Sequence, residues 1–242
     1  MSPITLVNAF SYVDSHDFTG DSNALTFNGS AAELDRTTFR SQGWRTLAGG
    51  GLKTGEFSMG GLWQAGADQV DPIAFGDLGV DGRVVTFGPE ETEGGPAYMW
   101  QGGNFNYVLG GNVGDLAPFT LAGKNTEAVG VVRGRLAKAM GQVNATGVLG
   151  SVQNLGAVGA GQFLYATLHL FGTPGTTITV QVQSDDSSGF GSPTTRATLG
   201  PFTTAGGRWM TRVAGAITDT HYRFNISAIT GAFVVAGALA VQ

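Results

Sequence analysis

One stretch, Gln162 to Asp186, constrains the fold more than any other. It reads QFLYATLHLF, then GTPG, then TTITVQVQSDD. In the first segment Leu164, Ala166, Leu168 and Leu170 share one face, and Tyr165, Thr167, His169 and Phe171 share the other. In the second, Ile178, Val180 and Val182 alternate with Thr177, Thr179, Gln181 and Gln183. A period of two marks a β-strand, because successive Cβ atoms point to opposite faces. Pro174-Gly175 between the segments is turn chemistry. The stretch is therefore expected as a hairpin of two strands with no catalytic constellation. Its second faces carry no charge, although exposed strands usually hold Lys or Glu against unwanted edge pairing. This sheet is expected to be covered, by the first part of the chain or by a neighbouring subunit, and assembly contacts are expected around 162–186.

The same texture runs through the chain. Strands are expected at 4–13, 23–30, on both sides of the Gly49–Gly51 turn, at 83–88, and in AYMW, NFNYVLG and LAPFTLAG. Asp14–Asn23 and Pro89–Gly95 read as polar loops. Ser30 and Glu33 stand at capping-box spacing, which permits a helical turn there. Asp71-Pro72 predicts a short helix, with Asp as N-cap and Pro at the first position. VGVVRGRLAKAM (129–140) begins as a strand and is expected to end as a helical turn. Further strands follow at 194–202, 207–215, 221–230 and 233–241. Short strands separated by Gly and Pro turns predict a sandwich or barrel.

Charge divides the chain. Residues 1–142 carry a net −6 and residues 143–242 a net +1. Two domains are expected, 1–142 and 143–242, with a possible distant duplication. Only 13% of residues are charged, about half the usual share of a soluble domain. So lightly charged a surface suits a subunit that buries much of its outside against copies of itself. The acidic balance argues against a nucleic-acid-binding footprint. Cysteine is absent, so there is neither a disulfide framework nor a thiolate metal site. No signal peptide is visible at the N-terminus, and the longest apolar run, Phe233–Val241, is too short to span a bilayer. No membrane partner is expected.

Residues with chemistry are scattered. His16, His169 and His221 fit no metal or proton-relay pattern, and no H-E-x-x-H or G-x-S-x-G occurs. No enzyme activity, cofactor or metal is expected. Gly123-Lys124 lacks the earlier glycine and the Ser/Thr of a phosphate loop. Asp185-Asp186 with Ser187 and Ser188 leaves weak cation binding open, against the simpler reading of solvated loop acids. Trp44, flanked by Arg40 and Arg45, and Trp209, flanked by Arg208 and Arg212, read as interface anchors, because Trp and Arg concentrate in buried interface centres. Trp63, Tyr165, His169 and Phe171 join them as interface candidates.

The order EldRTTFRSQGW…LAGGGLKTGEFSMGGLW (33–63), DPIAFGDLG, VVTFGPE, GPAYMWQG, VGDLAPFTLAG and VVRGRL resembles the major tail (tail tube) protein of long-tailed, siphovirus-like bacteriophages. The second part, GQFLYATLHLF…VQSDDSSGFGSPTTR…ITDTHYRFNIS, resembles a segment of phage structural proteins. The resemblance implies a tail-tube-like β-barrel or sandwich with a short helix, followed by a second β-sandwich-like part. It implies a virion tail protein, assembled in the host cytoplasm, whose copies form hexameric or trimeric rings. The rings stack into a conduit for double-stranded DNA and meet other tail proteins such as tape measure and tail terminator. Asp68, Asp71, Asp77 and Asp81 are the candidates for acids that line the bore and repel phosphate. The competing readings are another virion component (capsid decoration or tail terminator protein) and a carbohydrate-binding β-sandwich module using Trp63, Trp100 or Trp209. A hydrolase with a dispersed Ser-His-Asp triad stands behind both.

Overall fold

The computed structural model describes residues 5–242. The chain is mainly β. Its strands in order are β1 (Phe10–Val13), β2 (His16–Asp17), β3 (Ser22–Ala31), β4 (Leu34–Asp35), β5 (Leu47–Ala48) and β6 (Lys53–Leu62). After α1 (Val70–Gly76), the one α-helix among the described residues, come β7 (Arg83–Gly88), β8 (Pro96–Leu109), β9 (Pro118–Asn125), β10 (Val132–Val143) and β11 (Gly147–Asn154). The chain continues through β12 (Phe163–Phe171), β13 (Thr177–Asp185), β14 (Thr194–Phe202), β15 (Gly206–Trp209), β16 (Val213–Ala214), β17 (His221–Thr230) and β18 (Phe233–Val241). Among the described residues no helix is long and apolar enough to cross a membrane.

A twelve-stranded open sheet is built on the path β15-β12-β18-β10-β8-β7-β1-β2. It branches at β8, which is 14 residues long. The first half of β8 pairs with β7 and β10, and the second half leaves them for β9, which continues to β6 and β3. Glycine permits the branch: a Cβ at Gly103 would lie 2.8 Å from the Val80 carbonyl oxygen. The second sheet, β11-β17-β13-β14, has four strands, and β4 with β5 forms a separate ribbon.

The two strands of the opening stretch do not pair with each other. β12 lies between β15 and β18 in the large sheet, and β13 lies between β14 and β17 in the small one. The Pro174-Gly175 turn carries the chain from one layer to the other. The reason is energetic. Each strand has one apolar face, and stacking the sheets sets Leu164, Leu168 and Leu170 against Ile178, Val180 and Val182 in one core. A hairpin would leave both faces on the same side, still needing a third layer. Fully burying each such side chain is worth about 1.5–3 kcal/mol.

The other face of β12 is buried too. Tyr165 and Phe171 pack with Phe10, Tyr12, Met99, Leu136 and Ala238. A third core, around Phe57, Met59, Trp100, Phe119 and Leu121, fills the first part of the chain. The expected division at residue 142 falls inside β10, which pairs with β8 of the first part and β18 of the second.

Other expectations are corrected. No helical turn forms at Ser30, because β3 runs to Ala31 and the next amide, Ala32, donates to the Leu52 carbonyl at 2.8 Å. The end of 129–140 is strand, not helix: register shifts in β10 between Leu136 and Lys138, and again before Gly141, break the alternation in LAKAM. Helix α1 starts before Asp71, with Gln69 as N-cap, because the Asp71 carboxylate is engaged by Tyr107. Strand β11 has no sequence signal, since Gly147 and Gly150 both take positive φ and a register shift follows Leu149.

Candidate assembly surface

The uncharged face of β12 is closed by the chain itself. His169 is fully buried, with Nδ1 2.8 Å from the Asp14 carbonyl oxygen and Nε2 2.8 Å from Thr86 Oγ1. Thr86 Oγ1 is in turn 2.9 Å from Thr167 Oγ1. A carbonyl can only accept, so Nδ1 carries the proton and donates it. Nε2 then accepts from the Thr86 hydroxyl, and Thr86 accepts from Thr167. The ring is neutral, and burial pushes its pKa down to about 4. Tyr12 packs beside His169 and Phe171 with ring centroids 5.6 and 5.3 Å away. Its hydroxyl donates to Glu91 at 2.6 Å, and burial together with that carboxylate raises the Tyr12 pKa.

Tyr165, His169 and Phe171 are thus corrected from interface candidates to internal residues that join the two parts of the chain. Trp63 and Trp209 are half-buried, the first against the third core and the second 6.2 Å from the Tyr165 ring. Trp100, a candidate sugar platform, is 0% exposed. Trp44 alone among the interface candidates stands free, 81% exposed.

The four candidate bore acids separate. Asp68 and Asp81 are exposed. Asp71 accepts from the Tyr107 hydroxyl at 2.7 Å, and burial, with this carboxylate beside it, pushes the Tyr107 pKa up to about 12. Asp77 is bonded to Arg83, whose other nitrogen donates to Asp14 at 2.8 Å. Burial still raises the Asp77 pKa against the pull of that guanidinium. Asp185 folds its own loop, accepting from the Ser187 and Ser192 amides at 3.0 and 2.9 Å. Among the described residues no group of three His, Cys, Asp or Glu side chains converges.

Exposed apolar side chains cluster on two projections, with others scattered at Leu6, Val7, Phe75 and Val148. The first is an arm, 31–53, built on the β4–β5 ribbon. Its frame is polar: the Arg36 amide donates to the Thr46 carbonyl at 2.9 Å, and Arg45 reaches Asp35 at 3.2 Å. Exposed ion pairs of this kind contribute at most about 1 kcal/mol. From this frame Leu34, Phe39, Trp44, Leu47 and Leu52 point into solvent, and none joins a core. The second is a finger, the far half of β8, the turn after it and the start of β9. Val108, Leu109, Val113 and Leu116 are exposed there. Sequence reasoning found Trp44 but missed the finger, because its residues alternate like any strand.

The molecule is a mainly β protein with two apolar projections, the arm and the finger. No family model matches the sequence, and no curated protein sequence matches it. Among solved structures the chain is similar to one in the virion of a native gene transfer agent particle. There the identity is 20%, over 53% of this chain and 98% of that one, with a TM-score of 0.43. It is also similar to the SPP1 tail tube, at 11% identity over 54% of this chain and 78% of that one, TM-score 0.40. A third likeness is to the SPP1 Dit protein of the hub adsorption apparatus, at 10% identity over 96% and 98% of the two chains, TM-score 0.39.

Proposed function

We propose that this chain is a structural subunit of a phage tail tube, assembling as stacked homo-oligomeric rings around a bore that passes double-stranded DNA. The observation that carries the proposal is the arm. It holds Leu34, Phe39, Trp44, Leu47 and Leu52 in solvent while the cores behind it are complete. Each such side chain gains about 1.5–3 kcal/mol when covered, so the arm favours contact with another subunit. The low charge content and the tail-tube resemblance of residues 33–63, which takes in most of the arm, support the same reading.

On this reading the bore is acidic and DNA is repelled, not held. Asp68 and Asp81 are the two candidate acids with the exposure to serve it. Six copies complete a ring if residues 143–242 decorate the outside, and three if both parts are tube-like. Tape measure and tail terminator proteins are the expected tail partners, and assembly is assigned to the host cytoplasm. Electron microscopy of the purified protein tests the proposal. Rings or tubes of uniform bore are expected. Persistent monomers under assembly conditions, with or without a tail initiator, would overturn it.

A further inference from the structure

An open cleft of about 910 Å³ lies at the base of the arm, where β3, β6, the β9–β10 loop and β12 meet. Phe27 and Tyr98 line it, together with the small exposed part (5%) of the otherwise internal Tyr165, and Lys53, Arg133 and Arg212 supply its cations. None of the three cations has an ion-pair partner among the described residues. The Arg212 guanidinium rests on the Phe163 ring, 4.0 Å from its centroid. The cleft is therefore aromatic and carries a net positive charge, with Glu127 its one acid, in a chain whose net charge is −5.

Two apolar projections compete to fill such a site, and charge separates them. The arm brings Arg36, Arg40 and Arg45 against Glu33 and Asp35. Its cations would face the three already present. The finger has one charge between Gly103 and Gly123, the carboxylate of Asp115, and it sits between the exposed Val113 and Leu116. An apolar tip with one negative charge fits an aromatic cleft with three positive ones.

The finger of the same chain cannot reach. Tyr98 and Leu109 lie on the same strand, β8, up to about 36 Å apart at roughly 3.3 Å per residue, and the β8–β9 ladder through Leu109–Phe119 holds the finger there. We propose that the β8–β9 finger of one copy seats in the Lys53/Arg133/Arg212 cleft of a second copy. The proposal rests on the self-assembly reading above and names its contact. The two surfaces differ, so the contact is head-to-tail, the type that closes into rings or extends into filaments.

Two measurements test it. In the first, Asp115→Lys and the pair Arg133→Glu/Arg212→Glu are each expected to lose assembly while still melting cooperatively, the pair at a slightly lower temperature because Arg212 leaves the Phe163 ring. The triple variant, with the charges exchanged, is expected to regain it. Normal assembly by Asp115→Lys and by the arginine pair would overturn the docking and leave the tail-tube proposal standing. A wild-type protein that never assembles would overturn both. The second uses the absence of cysteine. In assembled protein, Val113→Cys/Ala128→Cys treated with a short bis-maleimide is expected to give a ladder of covalent multimers. Assembled protein without a ladder, or a ladder from Trp44→Cys/Ala128→Cys in its place, would overturn the assignment.

Discussion

Strand β12 and the arm at 31–53 invert what their sequences lead one to expect. β12 has no charged residue, with one apolar face and one largely aromatic face, as a sticky interface strand would have. It is enclosed almost end to end, with Leu164 to Phe171 all buried. The arm is glycine-rich and charged, like an ordinary solvated loop. It holds Phe39 and Trp44 in solvent at 108% and 81% exposure. The difference lies in what can reach each segment. β12 is flanked by β15 and β18 and covered on its two faces by β13 and by β1 with β7. The arm has only a ribbon of two short strands, too small to bury either of its sides.

Substitutions can break or sharpen this contrast. The largest expected loss is in β12. Leu168→Ala empties a fully buried site and should cost about 2–5 kcal/mol, read as a lower urea midpoint. Next comes pH. The His169 pKa is about 4 in the folded protein and 6.5 when free of the fold. Between these values the unfolded chain binds more protons, so stability falls as pH drops from 6.5 to 4. The loss from this one group is about 3 kcal/mol. His169→Gln should lack that part of the acid slope in urea titrations at several pH values. An equal slope in both proteins would place the His169 ring in contact with solvent.

Thr86→Val removes the hydroxyl that His169 Nε2 needs, and should cost about 1–3 kcal/mol. Calorimetry at pH 7.5 would read it, and an unchanged melting temperature would count against the assigned hydrogen bond. The smallest effect on folding belongs to the arm. Phe39→Ala and Trp44→Ala should each change stability by no more than about 0.5 kcal/mol. They should nevertheless abolish rings and tubes in micrographs. Tubes that form normally from both variants would remove the arm from the assembly surface.

Much of the local structure was legible in the residues. The alternation in ITVQV and HYRFNI correctly placed Val180, Val182, Phe224 and Ile226 on buried faces. The short helix beside Pro72 was legible to within two residues of its start. Bulged strands were less so, as LAKAM shows, because a bulge inserts a residue and scrambles the period. Pairing partners were illegible. A period of two tells which residues share a face, not which strand lies beside them, so β12 and β13 read as a hairpin when they are opposite walls of a sandwich. The candidate site suffered most. His169 and Asp14 meet across 155 residues of sequence, and no local pattern announces such a contact.

From the sequence alone came the strand content, the two-faced character of Gln162–Asp186 and the turn at Pro174-Gly175. These follow from Cβ direction and backbone stereochemistry, which act over a few residues. Only the tertiary structure decided what covers each face. That choice turned Tyr165, His169 and Phe171 into internal joints and left the arm and the finger uncovered. Burial is a property of the whole arrangement of layers: an apolar face requires a cover, but the strand that supplies it is set by pairings between distant segments.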